Sequence, residues 1–186
     1  MNRAELCEVA LSLENNNVKI GEIPEMQSIL GRPFPLVIEP VTKMNFIQLQ
    51  EYFIRNNKNI IKAASIYGTV MLKGFEIING EEWASVIYSS GLKEMNYVGG
   101  AAVRKLIVGT EGKIENPQVL TTNESPPSEP IPFHHELAQT PDPPSHICFY
   151  CSVNAAEGGS TPLIRSDFVY NWLMENHPDF IKKVEE

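Results

Sequence analysis

Between Pro126 and Pro144 the chain carries seven prolines in nineteen residues, and this stretch constrains the fold more than any other. Each proline fixes φ and removes a backbone donor, so the segment can be neither a helix nor a central strand throughout. It reads as a long, stiffened loop with one short motif inside it, Phe133-His134-His135-Glu136-Leu137-Ala138.

Regular elements are expected on both sides. Leu36-Val37-Ile38, delivered by Arg32-Pro33-Phe34-Pro35 and closed by Pro40, reads as a short extended segment. Asn45 to Ser65 reads as helix, because Phe46, Leu49, Phe53, Ile60, Ile61 and Ala64 recur at helical spacing. Asn56-Asn57 is a point where that helix could divide, and Gly68 ends it. Thr69-Val70-Met71-Leu72 suits a buried strand. Asn79 or Gly80 can cap a second helix, with Glu81 and Glu82 favoured by the dipole and Trp83, Val86 and Ile87 as the apolar side. Beyond the prolines, Ile147–Val153 is predicted as a core strand and Thr161–Ile164 as a shorter one after a turn at Gly158-Gly159. Ser166 is the expected N-cap of a helix over Asp167–Glu175, burying Phe168, Val169, Trp172 and Leu173, and Pro178 opens a last helix. The polar first thirty residues, with a turn at Asn15-Asn16-Asn17, read as a segment 1–31 preceding a domain over 32–186. The order lacks βαβα alternation, and Gly99-Gly100 is no dinucleotide fingerprint, so the expected class is α+β with a β-rich core.

Charge and cysteine usage narrow the function. A net charge of −8 gives no electrostatic reason to bind nucleic acid or an anionic membrane. No apolar run reaches the roughly 18–20 residues of a membrane span, and the N-terminus lacks an apolar leader, so the default expectation is cytoplasmic. Three cysteines are too few for a disulfide framework. On a strand Cys148 and Cys151 would face opposite ways, which favours core packing over a zinc or redox pair.

In an extended chain residues i and i+2 share a face, so His134 and Glu136 project together while His135 points away. An imidazole and a carboxylate converging in this way supply two ligands of the facial triad used by non-haem Fe(II) oxygenases; a second histidine completes it and leaves positions open. Alone, His-x-Glu is short enough to arise by chance in a solvated loop.

The surroundings add to it. Asn123-Glu124-Ser125-Pro126-Pro127, Ile131 to Gln139, Phe149-Tyr150-Cys151 and Gly158-Gly159-Ser160-Thr161-Pro162 combine with Pro33-Phe34-Pro35, Gly68 to Phe75 and Tyr97 to Ala102. From about Arg32 to Glu186 this pattern resembles the clavaminate synthase-like branch of the TauD/TfdA dioxygenases. The resemblance implies an incomplete double-stranded β-helix (jelly roll) with flanking helices, and a requirement for Fe(II), 2-oxoglutarate and O₂ in oxidising a small-molecule substrate. By motif position it makes His134 and Glu136 iron ligands and Thr161 a contact of the 2-oxoglutarate carboxylate. The family also uses a distal histidine and an arginine further along. Fifty residues follow Glu136, and neither His146, His177 nor Arg165 sits where those are expected. The sequence therefore reads as a domain cut before its distal ligands, and the alternative reading is a non-catalytic remnant that binds a metal or a partner. Glu124 and Glu129 could pair as acid and base or form a solvated loop face. Tyr97 and Arg104 could line the substrate side, but nothing in the sequence ranks them above ordinary surface positions.

Overall fold

A computed structural model describes residues 6–95, 97, 100, 104–109, 118–122, 126 and 128–186. In chain order the elements are α1 (Glu8–Leu11), β1 (Val18–Gly21), β2 (Gln27–Ile29), β3 (Arg32–Phe34), β4 (Leu36–Pro40), α2 (Phe46–Tyr67), β5 (Val70–Leu72), α3 (Gly80–Tyr88), β6 (Leu106–Val108), β7 (Val119–Leu120), α4 (Ser166–Asn176) and α5 (Pro178–Glu185).

The core forms around β4. Leu36, Val37 and Ile38 are fully buried because β4 is a middle strand, antiparallel to β1 and parallel to β5. A parallel pair needs a crossover, and α2 provides it. Asn45 starts α2 with a capping box: its side chain accepts from the Gln48 N–H, and the Gln48 side chain accepts from the Asn45 N–H, each at 3.0 Å. The helix then runs unbroken through Asn56-Asn57 for 22 residues, with the Asn56 amide donating to the Tyr52 carbonyl at 2.9 Å. Its buried stripe is Leu49, Tyr52, Phe53, Ile60, Ala63 and Tyr67. At Gly68 φ is +79°, a value a side chain would oppose, and the chain turns into β5. The strand β5 lies at the sheet edge, where Met71 is exposed, rather than being buried as expected.

Residues 6–21 belong to the same core. Leu6, Ala10, Leu13, Val18 and Ile20 pack against α2 and β4, and the Tyr52 hydroxyl donates to the Leu13 carbonyl at 2.8 Å. The pairs β2–β3 and β6–β7 are small antiparallel ladders. The helix α3 is capped by Asn79, whose side chain accepts from the Glu82 N–H at 2.8 Å, and it buries Ala84 and Val86.

The C-terminal third departs from expectation. Ile147–Val153 and Thr161–Ile164 form no strands, and the stretch is largely exposed, up to 83% at Val153. Cys148 and Cys151 are exposed rather than packed in a core. Strand propensity is mostly a preference for packing against neighbouring strands, and none of the described residues pairs with these. One point of contact is Tyr150, which stacks on Trp83 at 5.9 Å and donates to the Ile77 carbonyl at 3.1 Å. The N-cap of α4 is Arg165, not Ser166, and α4 buries none of its residues; Phe168 and Trp172 are exposed. The class is α+β, and among the described residues its sheets have two or three strands and do not close into a double-stranded β-helix. No helix among them is long and apolar enough to cross a membrane. Asn123, Glu124, Ser125, Pro127, Val98, Gly99, Ala101 and Ala102 lie outside the described residues.

Candidate metal centre

The motif sits at the end of the proline-rich path without joining a ladder. Residues 131–135 have no regular structure, and a turn begins at Glu136. Prolines at 130 and 132 leave few donors for a strand partner, so the extended segment joins no ladder. The turn pivots on Leu137, whose φ is +53° and whose side chain is 4% exposed. The left-handed backbone costs a leucine roughly 1–2 kcal/mol, and burying the side chain returns roughly 1.5–3 kcal/mol, so the apolar anchor holds the turn. Its carbonyl accepts from both the N–H and the hydroxyl of Thr140, at 2.9 and 2.8 Å.

Around this pivot His134 and Glu136 approach each other while His135 turns away. His134 Nδ1 lies 2.8 Å from the Pro132 carbonyl. A carbonyl can only accept, so Nδ1 carries the proton, and in the neutral ring Nε2 presents a lone pair. Nε2 lies 3.9 Å from Oε2 of Glu136. The other Glu136 oxygen, Oε1, lies 3.6 Å from Nη2 of Arg104. The Glu136 and Arg104 side chains are mostly buried, and His134 is about half exposed. His135 turns the other way, its Nε2 2.8 Å from the Ser166 hydroxyl at the start of α4.

Arg104 reaches Glu136 from the N-terminal side of β6. Lys105 N–H donates to Thr121 Oγ1, and Thr121 N–H donates to the Lys105 carbonyl, both at 2.9 Å, which fixes the strand entry. The guanidinium lies 5.0 Å from the Tyr97 ring centroid and donates to the Thr121 carbonyl at 3.4 Å. The pairing with Glu136 links positions 32 residues apart, and no local pattern in the sequence announces it.

The donor set suits a divalent cation. Nitrogen and oxygen ligands sit about 2.0–2.2 Å from such an ion, so two of them at a right angle are about 3 Å apart. The observed separation is 3.9 Å, about 1 Å wider than that. A metal-binding imidazole characteristically donates its other N–H to a carbonyl or carboxylate, as His134 does to Pro132.

Other candidate residues lie apart. Thr161 is exposed in a stretch without regular structure, and no hydrogen bond joins it to His134 or Glu136 among the described residues. His146 contacts the Ser145 hydroxyl at 3.0 Å, and His177 lies against the Trp172 ring at 5.4 Å. Arg165 is 7% exposed and paired through Nε to Asp167 at 2.9 Å; its guanidinium holds the Asp167 carboxyl below its ordinary range. Among the described residues no group of three or more His, Cys, Asp or Glu side chains comes together. The proposed Glu124–Glu129 pair has one member outside them.

Comparison with known proteins places these residues in context. The family model described as taurine catabolism dioxygenase TauD, TfdA family matches residues 32–186. A clavaminate synthase-like protein of Arabidopsis thaliana is 35% identical to this chain, over 88% of it. The match takes in 49% of that protein, so the chain spans about half the length of the curated relative it matches.

Proposed function

Because this chain belongs to the TauD/TfdA dioxygenase family, we propose that His134 and Glu136 hold Fe(II) in an oxygenase that uses 2-oxoglutarate and O₂ to oxidise a small molecule. One observation carries this reading: His134 Nε2 faces Glu136 Oε2 at 3.9 Å while Nδ1 is tied to the Pro132 carbonyl. The site as proposed is completed by a histidine from elsewhere in the full domain. The fold proposed for that domain is the jelly roll with flanking helices, in which the exposed Ile147–Val153 and Thr161–Ile164 stretches gain strand partners.

When bound, iron with 2-oxoglutarate and O₂ supplies oxidation of a substrate C–H bond, coupled to decarboxylation of the keto acid to succinate and CO₂. The chain's own part is to bind and orient. The Pro132 carbonyl holds the His134 proton on Nδ1, so Nε2 stays free to coordinate. Glu136 contributes the single negative charge. Thr161 is assigned to donate its hydroxyl to a 2-oxoglutarate carboxylate oxygen once the domain is closed around it. Tyr150, anchored on Trp83, keeps its segment against α3.

Anaerobic titration with Fe(II) and 2-oxoglutarate of the full domain, including the histidine that completes the site, tests the proposal. A visible metal-to-keto-acid charge-transfer band, lost in His134→Ala, is the expected result. No band, together with no succinate release in air, contradicts it and favours the non-catalytic remnant.

A further inference from the structure

We infer that Arg104 is the positioning residue of Glu136, fixing one carboxylate oxygen so that the other is presented to the metal. The inference rests on the proposed metal reading and goes one residue beyond it. The two oxygens of Glu136 have different neighbours: Oε1 faces Arg104 Nη2 at 3.6 Å, and Oε2 faces His134 Nε2 at 3.9 Å. A glutamate side chain turns about three bonds and does not hold such a division of labour unaided.

Arg104 is itself immobilised, which is what a positioning group requires. Its side chain is 16% exposed, its guanidinium packs on the Tyr97 ring at 5.0 Å, and Nη1 donates to the Thr121 carbonyl at 3.4 Å. The planar guanidinium spreads donors over a rigid fork, so it can serve Thr121 and Glu136 at once while its face lies on an aromatic ring. A lysine ammonium is a point charge on a flexible stem and can supply the charge without that geometry. The arrangement leaves Oε2 as the ligating atom and favours one-point attachment of Glu136 over a two-oxygen grip.

Cobalt(II) affinity of the full domain, including the histidine that completes the site, reads this out without turnover. Arg104→Ala is expected to weaken Co(II) binding about 10- to 100-fold, the usual cost of losing a group that orients a ligand, with added guanidinium ion at non-denaturing concentration restoring part of it. Arg104→Lys falls in between. Tyr97→Phe keeps the ring and the affinity, whereas Tyr97→Leu loses part of it. Equal or tighter binding by Arg104→Ala overturns the inference while leaving the metal reading intact. Should Arg104→Ala not fold, equal affinity in Tyr97→Phe and Tyr97→Leu overturns it. Absence of Co(II) binding by the unmodified domain, or retention of it in His134→Ala, overturns the metal reading and this inference with it.

Discussion

His134 Nε2 stands 3.9 Å from Glu136 Oε2. His135, between them in the chain, bonds to Ser166 at 2.8 Å on the opposite side. The alternation that a strand would impose is therefore present in a segment that is not a strand. It is imposed by the prolines before the motif and by the left-handed, buried Leu137 after it. The two histidines consequently differ in what they can do. His134→Ala removes a proposed ligand and is expected to abolish metal binding. His135→Ala removes one exposed hydrogen bond, with a stability cost below about 1 kcal/mol and metal affinity changed by only a few-fold. Equal loss in isothermal titration of the two variants would refute the assignment.

The capping box at Asn45 governs the helix that builds the core. Asn45→Ala is expected to cost about 1 kcal/mol, because it leaves the Gln48 N–H without the acceptor it has now. Urea denaturation checks this: the midpoint falls and the slope does not change.

Alkaline pH should weaken the fold through Tyr52. Burial raises the pKa of this phenol, whose hydroxyl donates to the Leu13 carbonyl. The unfolded chain then loses its proton first. The stability contributed is complete below about pH 10 and is lost as pH rises beyond it. Tyr67 is shifted the same way, first by burial and then by the hydrogen bond its hydroxyl donates to the Cys7 thiol, with the Cys7 N–H, which donates to the same hydroxyl, acting against the shift. Tyr52→Phe is expected to lower stability by about 1 kcal/mol at neutral pH and to flatten the decline above pH 10, which thermal melts across that range would reveal.

Gly68 carries two constraints at one position. Its φ of +79° disfavours a side chain, and a Cβ there would meet Arg165 Cγ at 3.1 Å. Gly68→Ala is expected to destabilise the chain by at least about 1 kcal/mol. It should also loosen Arg165, seen as increased amide exchange in the first turn of α4. No change in either quantity would contradict the packing described.

Much of the N-terminal fold is written locally. The stripe of α2, the stop at Gly68, the Asn79 cap and the Leu36–Ile38 strand each carry their own signal within a few residues. The role of residues 6–21 does not, because Val18 and Ile20 are recognisable as core only once β4 lies beside them. For Ile147–Val153 the local signal is not enough: β-branched and aromatic residues favour a strand only where another strand can receive them, and no partner lies among the described residues. In the candidate site, the spacing of His134 and Glu136 pointed to a shared face, and their side chains do approach within 3.9 Å; their role at a metal rests on the proposed function. Arg104 was not legible, since its link to Glu136 depends on how the β6–β7 ladder meets the proline-rich path.

The central claim is that His134, with Nδ1 protonated, offers Nε2 to a divalent metal jointly with Glu136. Long-range ¹H–¹⁵N correlation of the four imidazoles, recorded with and without Zn(II) as a diamagnetic substitute, measures this atom by atom. The account predicts that His134 is the Nδ1–H tautomer without metal, and that its Nε2 resonance alone among the four rings moves to the metal-bound position on titration. An Nε2–H tautomer at His134, or a metal-induced shift at His135, His146 or His177 in its place, would contradict it.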